Sequence, residues 1–218
     1  MKEKKRRAVI IGAAAIGDYK RIASYLRPDS DFYIFCDGGL HHWRELERQL
    51  GHPLNPNLVV GDFDSHPVPN NLSCLVIRLP CEKDDTDTWF AAKEAIRQGF
   101  CDFLLVGVAG QRLDHTMGNL SILLHLHKLG LPAKLVDDYS EMEMVGKAPV
   151  QVSDDFSYFS LLNVSGLAKG VTIRKAKYPL ERAEISCGYQ YAVSNQVLPG
   201  QTTEITVAQG NLLLLRVF

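Results

Sequence analysis

Up to about residue 140 the chain alternates short, β-rich apolar runs with amphipathic stretches, and this alternation restricts the possible folds more than any other feature. Such a pattern is expected of βαβ units around a parallel sheet. Four of the runs end in polar or glycine-containing turns: "AVIIG" (8–12), "DFYIFCDGG" (31–39), "NLVVGDFD" (57–64) and "DFLLVGVAG" (102–110). In an open α/β sheet ligands collect in the crevice beyond the carboxyl ends of the strands, so the four endings predict one site along one edge. Helices are expected over 40–50, 85–98 and 113–128. In the last of these, Leu113, Met117, Leu120, Leu123 and Leu124 form an apolar face at helical spacing, and Gly130 and Pro132 supply a stop. His125 and His127 are two residues apart and cannot share a helix face, so they read as structural or solvated side chains.

After "EMEMVGKAPVQVSDD" (141–155) the pattern changes to short alternating runs separated by turns at Gly166, Gly170, Gly188, Pro199–Gly200 and Gly210. These predict a small antiparallel β domain. The expected fold is therefore α/β: an N-terminal, mostly parallel sheet with flanking helices over 1–144, and a smaller, sandwich-like antiparallel β domain over 145–218. So short a β unit has a limited core of its own and is expected to pack on the first domain or on a second subunit.

Composition excludes several classes. The chain has 218 residues, 22% of them charged, with a net charge of −1, which argues against a protein whose main task is to cover nucleic acid. The basic run "KEKKRR" (2–7) followed by "AVIIGAAAIG" imitates a secretory leader, a reading rejected in favour of a first strand. Five cysteines, odd in number and without CxxC spacing, indicate neither a disulfide framework nor a zinc site, and suit a reducing cytoplasm. No segment approaches the ~20 apolar residues of a membrane-spanning helix. A soluble, cytoplasmic protein is expected.

Three acidic clusters carry the candidate chemistry. In "GDFDS" (61–65), Asp62 and Asp64 would point the same way if residue 63 were extended, and two such carboxylates suit Mg²⁺; the plainer reading is an acidic turn with Ser65 as a helix cap. In "KDDTD" (83–87), Asp84 or Asp85 is expected to cap a helix whose first turn holds Asp87, and Lys83 beside these acids suggests a phosphate partner shared through metal. In "GVAGQRLDH" (107–115), Gly110 admits backbone close to a phosphate, Arg112 offers it a bidentate fork, and Asp114 and His115 open a helix. "CDGG" (36–39) reads as a strand-end turn with room for a ligand at Gly38 and Gly39. There is no G-x-x-x-x-G-K-[ST], no G-x-G-x-x-G after a strand and no GxSxG elbow. Acidic clusters interleaved with Lys and Arg fit phosphoryl-type transfer, in which the protein mainly positions reactants and neutralises charge.

The succession "CDGG", "GDFDS", "KDDTD", "GQRLDH", followed by Asn119, resembles the thiamine pyrophosphokinase family in order and spacing, and "VSNQ" (193–196) resembles the S-N signature of that family's second domain. The resemblance implies transfer of the β,γ-diphosphate of ATP to the thiamine hydroxyl with release of AMP, a Mg²⁺ cofactor, and a homodimer whose sites involve both subunits. It also implies residue roles: Asp62, Asp64, Asp84 and Asp87 on Mg²⁺; Lys83 and Arg112 on the triphosphate; Asp37, Gly38, Gly39, Gly110, Asp114 and His115 around the nucleotide; and Ser194 and Asn195 on thiamine. Asp62, Asp64, Lys83, Asp87 and Arg112 form the catalytic set. Leu40 and the pair His41–His42 stand where many members carry a smaller residue and Asn.

Three other functions compete with this one. A pyrophosphokinase for another hydroxymethyl heterocycle, such as a pterin, would differ only on the acceptor side, where Trp43, Trp89 or Tyr191 could wall a cationic ring. A metal-dependent phosphate hydrolase would need no acceptor, and a silent nucleotide-binding module would need the phosphate clamps without the full acidic set.

Overall fold

The computed structural model describes residues 6–64, 69, 72–82, 84–110 and 112–218, so that Lys83, Ser65 and residues 2–5 of the basic run lie outside the described residues. The chain divides into two compact units, Met1–Asp138 and Tyr139–Phe218. The division falls ahead of the change of sequence pattern near residue 145, because "SEMEMV" (140–145) is itself a strand of the second unit.

The first unit is built on six parallel strands: β1 (Arg7–Ile11), β2 (Asp31–Cys36), β3 (Leu58–Gly61), β4 (Leu75–Arg78), β5 (Asp102–Val106) and β6 (Ala133–Val136). They lie in the order β4-β3-β2-β1-β5-β6, so the chain winds outward from β1 to β4 and then returns to place β5 on the other side of β1. The ends of β1 and its neighbours thus form a topological switch point, where such sheets open a crevice. Every residue of β1 is buried, as expected for a central strand covered on both faces, and "RAVII" is correspondingly an apolar run without alternation. Its one charged residue, Arg7, is compensated: Nε donates to Asp31 Oδ1 at 2.8 Å, and Nη2 to Asp31 Oδ2 at 2.6 Å and to the Tyr25 carbonyl at 2.7 Å.

Among the described residues four helices accompany these strands: α1 (Tyr19–Ser24), α2 (Trp43–Leu50), α3 (Asp87–Arg97) and α4 (Leu113–Lys128). Ala91, Ala92 and Ala95 give α3 a smooth buried face that lies over β1, β2 and β3. Its N-cap corrects the sequence expectation: the Thr86 hydroxyl, and neither Asp84 nor Asp85, accepts from the Trp89 N–H at 3.2 Å, while Asp85 pairs with Lys93. The buried face of α4 also differs from the predicted stripe. Asn119, Ile122, Leu123 and Leu126 point inward, whereas Leu113 and Met117 are exposed. The "DGGLHH" turn is a 3₁₀ turn (Asp37–His42) leading into α2. No expectation covered α1, β4 or β6. They are four to six residues long, and β4 is a half-exposed edge strand with little apolar periodicity.

The second unit is all β, as expected. Strands β7 (Ser140–Val145), β13 (Leu212–Val217) and β9 (Tyr158–Leu162) pair antiparallel in that order. A four-stranded antiparallel sheet has the order β11 (Leu180–Ser186), β10 (Leu167–Arg174), β12 (Thr202–Thr206), β8 (Val150–Ser153). Val145, Phe159, Leu161, Leu212 and Leu214 from the three strands share one core with Val152, Ala168, Val171, Ile173, Ile185 and Ile205 from the four, which is a sandwich. Buried Arg216 of β13 ties this unit: Nη1 donates to Glu141 at 2.7 Å and Nη2 to Glu143 at 2.5 Å.

Candidate active site

A cleft of about 440 Å³ opens where β1 and β5 end, lined by the backbone-rich segments Gly12–Ala15 and Gly107–Gly110 and closed by side chains of His41, Thr88, Arg112, His115 and Asn119. The two loops are held together by their own backbone: Gly12 N–H donates to the Val106 carbonyl at 3.0 Å and Ala14 N–H to the Gly107 carbonyl at 2.8 Å. Asp138 fixes the far end of the first loop, accepting from the N–H groups of Gly17 (2.7 Å) and Asp18 (2.9 Å). His42, almost fully buried, holds its middle. Its Nε2 lies 2.9 Å from the Ala14 carbonyl and its Nδ1 lies 2.7 Å from the Tyr19 hydroxyl. Burial, helped by the neighbouring His41, pushes the His42 imidazole down to about 4, so the ring is neutral at pH 7. A neutral ring donating Nε2–H to the carbonyl leaves Nδ1 to accept from tyrosine. Asn119, one turn into α4, donates to the Val108 carbonyl at 2.7 Å and secures the second loop.

Glycine at 39 is a steric requirement, since a Cβ there would collide with the Ile11 carbonyl oxygen. Asp37 begins the 3₁₀ turn in the left-handed region (φ 43°), beside Gly61, where an added Cβ would stand 2.9 Å from the Asp37 Cα. Asp37 Oδ1 is buried with no hydrogen-bond partner among the described residues. Asp37 and Asp87 both act on Cys36: burial chiefly, then the negative charges of Asp87 and Asp37, drive its thiol far above its usual range. Thr88, on the cleft wall, acts on the same thiol in the opposite sense, lowering it. The end of β2 therefore gathers Asp37, Asp87 and Thr88.

The β3 end brings Asp62 and Asp64 together, though not as the sequence suggested. Phe63 is not extended but left-handed (φ 58°), so the carboxylates meet across a tight turn in which Asp64 N–H approaches Asp62 Oδ1 at 3.4 Å. One carboxylate oxygen of each lies within 4.8 Å of the other and of Cys81 Sγ. Hard oxygen donors in this arrangement fit a divalent cation such as Mg²⁺. Asp84, which is exposed, and half-buried Asp87 stand outside that three-residue cluster. Cys81 was missed by sequence reasoning because a single cysteine without a partner motif carries no metal signal; only the pairing of β3 with β4 brings it here.

At the head of α4, Arg112 grips Asp114 (Nη2 to Oδ2 2.5 Å, Nε to Oδ1 3.3 Å), and this contact holds the Asp114 carboxyl down at about 2. His115 stands 4.0 Å from the same carboxylate. In the second unit, Ser194 is exposed with φ 57°, while the Asn195 side chain is buried and committed: it donates to the Tyr178 carbonyl at 2.7 Å and accepts from the Tyr178 N–H at 3.0 Å. Asn195 borders a 180 Å³ pocket with Tyr178 and Tyr191. Of the other aromatic candidates, Trp43 donates to the Leu54 carbonyl, and Trp89 packs on His125 with ring centroids 5.0 Å apart.

Residues 23–135, which contain every acidic cluster above, match the family model "Thiamin pyrophosphokinase, catalytic domain", and residues 149–212 match "Thiamin pyrophosphokinase, vitamin B1 binding domain". The chain belongs to the thiamine pyrophosphokinase family. It is thus a member of an enzyme family. A curated thiamine pyrophosphokinase of Bacillus subtilis is 27% identical over 137 residues, an alignment that takes in 62% of this chain and 64% of that protein's length. The crystal structure of thiamine pyrophosphokinase from Bacillus subtilis superposes with a TM-score of 0.82 at 22% identity, covering 97% of this chain and 98% of the other. That of thiamin pyrophosphokinase from Geobacillus thermodenitrificans gives 0.79 at 25% identity, covering 97% of each chain. Yeast thiamin pyrophosphokinase retains the fold at 12% identity, with a TM-score of 0.74 over 100% of this chain and 88% of that one. Among the described residues no helix is long and apolar enough to cross a membrane.

Proposed function

We propose that this chain transfers the diphosphate of ATP to the hydroxyl of thiamine, giving thiamine diphosphate and AMP, in a Mg²⁺-dependent reaction. The observation that carries the reading is the Asp62–Asp64 pair, turned together at the end of β3 within the segment that matches the catalytic family model. The curated relative and the solved structures named for this activity support the same choice.

Mg²⁺ held by Asp62 and Asp64, with Asp84 and Asp87 assigned to the same ion, would supply charge neutralisation for the transferring phosphate. The protein's own groups do the rest. The Gly12–Ala15 and Gly107–Gly110 backbones form the floor of the nucleotide cleft, with Asp37, Gly38, Gly39, Asp114 and His115 around it. Arg112 exchanges its bond to Asp114 for a phosphate, a substitution one guanidinium fork can make without moving its stem. Lys83 is assigned to the triphosphate as well. One carboxylate of the Asp62–Asp64 pair accepts the proton of the attacking hydroxyl.

On the acceptor side, Ser194 is assigned to direct contact with thiamine. Asn195 acts by holding the Tyr178 backbone, and Tyr178 and Tyr191 present aromatic faces suited to a cationic thiazolium. Residues 1–144 and 145–218 would then divide nucleotide binding and catalysis from thiamine binding and dimerisation, in a cytoplasmic homodimer.

Product analysis tests the reading. Incubation with ATP, Mg²⁺ and thiamine is expected to yield AMP and thiamine diphosphate in equal amounts, and AMP only when thiamine is present. AMP formed only with a hydroxymethylpterin would change the acceptor. Phosphate released without acceptor, or nucleotide bound without turnover, would replace the assignment by a hydrolase or a binding module.

A further inference from the structure

In the second unit the β10–β11 hairpin encloses a hollow of about 650 Å³ to which the proposed reaction gives no task, lined by residues 172–175 on one side and 179–182 on the other. Its size lies within the roughly 300–1,000 Å³ of small-molecule sites. Arg174, Lys175 and Arg182 bring three cations to it, against the single carboxylate of Glu181. Exposed arginines elsewhere hold a carboxylate close in sequence: Arg44 with Glu47, Arg48 with Glu45, Arg97 with Glu94. Among the described residues Arg174, Lys175 and Arg182 make no ion pair. The hairpin's other carboxylate, Glu184, is taken by Lys169 at 3.4 Å, and Lys177 spends its ammonium on Gln196 Oε1 at 3.1 Å. Positive charge left uncompensated in a concavity concentrates anions there.

The backbone under these cations is held in place. Val171 pairs with Ala183 and Ile173 with Leu180, so Thr172 alone faces both Glu181 and Arg182, and β11 carries one extra residue at the hollow. Such bulges re-aim side chains and recur beside functional sites. Arg182 sits there with φ 47°, its N–H donating to Thr172 Oγ1 at 3.2 Å. Lys175 has φ 58°, and its carbonyl accepts from the buried Thr203 hydroxyl at 2.9 Å and from the Leu198 N–H at 3.1 Å. Among the described residues five side-chain-bearing residues have positive φ. Asp37, Phe63 and Ser194 lie within motifs assigned to the proposed reaction, and the remaining two line this hollow. Strained backbone of this kind costs free energy and clusters at functional positions.

We propose that the β10–β11 hollow is a second anion site, separate from the nucleotide cleft of the first unit, which binds a diphosphate ester through Arg174, Lys175 and Arg182. The two guanidinium forks suit pairs of non-bridging phosphate oxygens, and the ammonium adds a point charge between them. Three cations match the several charges of a diphosphate better than those of a single phosphate. Two sources carry this group: the product of the proposed reaction and a free nucleoside diphosphate. Glu181 favours the former, since it offers a counter-charge to a cationic ring and repels a purely anionic ligand. That choice of source rests on the proposed function, whereas the site itself does not.

Calorimetric titration of the full-length protein in EDTA tests the site, with inorganic pyrophosphate as the first probe and thiamine diphosphate and ADP as the next two. Wild type is expected to bind pyrophosphate saturably. Its affinity is expected to fall at least about tenfold in Arg174→Gln and in Arg182→Gly, and to stay within about twofold in Arg112→Ala, which alters only the first unit's cleft. Glycine at 182 removes the guanidinium while easing the left-handed backbone, so the unfolding midpoint is expected not to drop and lost binding cannot be put down to lost fold. Thiamine diphosphate bound more tightly than ADP, with Arg174→Gln weakening it, assigns the product as occupant; the reverse order assigns a nucleotide. Absence of saturable pyrophosphate binding, or binding that responds to Arg112→Ala and not to the changes at 174 and 182, overturns the site. Diphosphate transfer to thiamine is measured on the same proteins. No transfer by wild type overturns the proposed function and leaves pyrophosphate binding through Arg174 and Arg182 as its own result.

Discussion

At Phe63 the backbone enters the left-handed region with a bulky, buried side chain, a combination that costs of order 1–3 kcal/mol and persists only where surroundings impose it. Here the result is the approach of two carboxylates, which repel each other unless a cation lies between them. Asp64→Ala is expected to lower diphosphate transfer by at least about a hundredfold while leaving the circular dichroism spectrum unchanged, because an exposed side chain at a loop contributes little to folding. An Asp64→Ala enzyme of normal rate would remove the metal assignment. Asn195 behaves oppositely: its three hydrogen bonds, to the Tyr178 backbone at both groups and from Gln196 N–H at 2.9 Å, are internal. Asn195→Ala is expected to destabilise the protein by about 1–3 kcal/mol in a denaturant titration, through the unsatisfied Tyr178 groups. The identity of the clusters was legible in the residues themselves. Their geometry was not: an Asp-x-Asp spacing is compatible with an extended or a turned middle residue, and nothing in the side chain of phenylalanine announces a positive φ.

Among the elements, strands that are continuous buried apolar runs ending in a turn were readable, and those with a weak apolar pattern were not. Strands β1, β2, β3 and β5 announce themselves as apolar runs ending in turns, whereas four-residue β4 alternates too weakly to be distinguished from a loop. The expected α4 stripe agrees with the structure at Leu123, which is buried, and departs from it at Leu113 and Met117, which are exposed. The buried face includes Asn119, whose inward position is explained by its bond to the Val108 carbonyl, while Leu113 is left in solvent. The α3 N-cap was likewise assigned to aspartate when threonine performs it, a choice propensity cannot decide since both cap well. Thr86→Ala is expected to cost about 1 kcal/mol, measured as a lowered unfolding midpoint. In β13, removing the buried Arg216 guanidinium takes a short hydrogen-bonded charge partner from both Glu141 and Glu143. Arg216→Ala is expected to destabilise by about 3–5 kcal/mol in equilibrium unfolding, far more than loss of the exposed Arg44–Glu47 pair.

For the molecule as a whole, one buried histidine links stability to acidity. His42 is neutral when folded, its value lowered from 6.5 to about 4, while in the unfolded chain it protonates near 6.5. The unfolded state therefore binds more protons between those values, and stability falls as pH drops from about 6.5 toward 4, by about 3 kcal/mol from this residue. His42→Gln, which retains a donor and an acceptor, is expected to flatten that part of the stability–pH profile. A slope unchanged in the variant would show that the imidazole is not held neutral. Fold class was readable at this scale because alternation of apolar runs, repeated over half the chain, leaves few alternatives. The strand order β4-β3-β2-β1-β5-β6 implies something about synthesis. β1 is made first but gains its second neighbour only when residues 102–106 arrive, and the cleft needs both. A chain leaving the ribosome can fold β1 to β4 into a sheet, yet one edge of β1 stays open, prone to pairing with another nascent chain, until β5 closes it. Fragments that stop before residue 102 are therefore expected to aggregate and, on the proposed function, to show no nucleotide affinity, since the cleft also needs the segment 107–119.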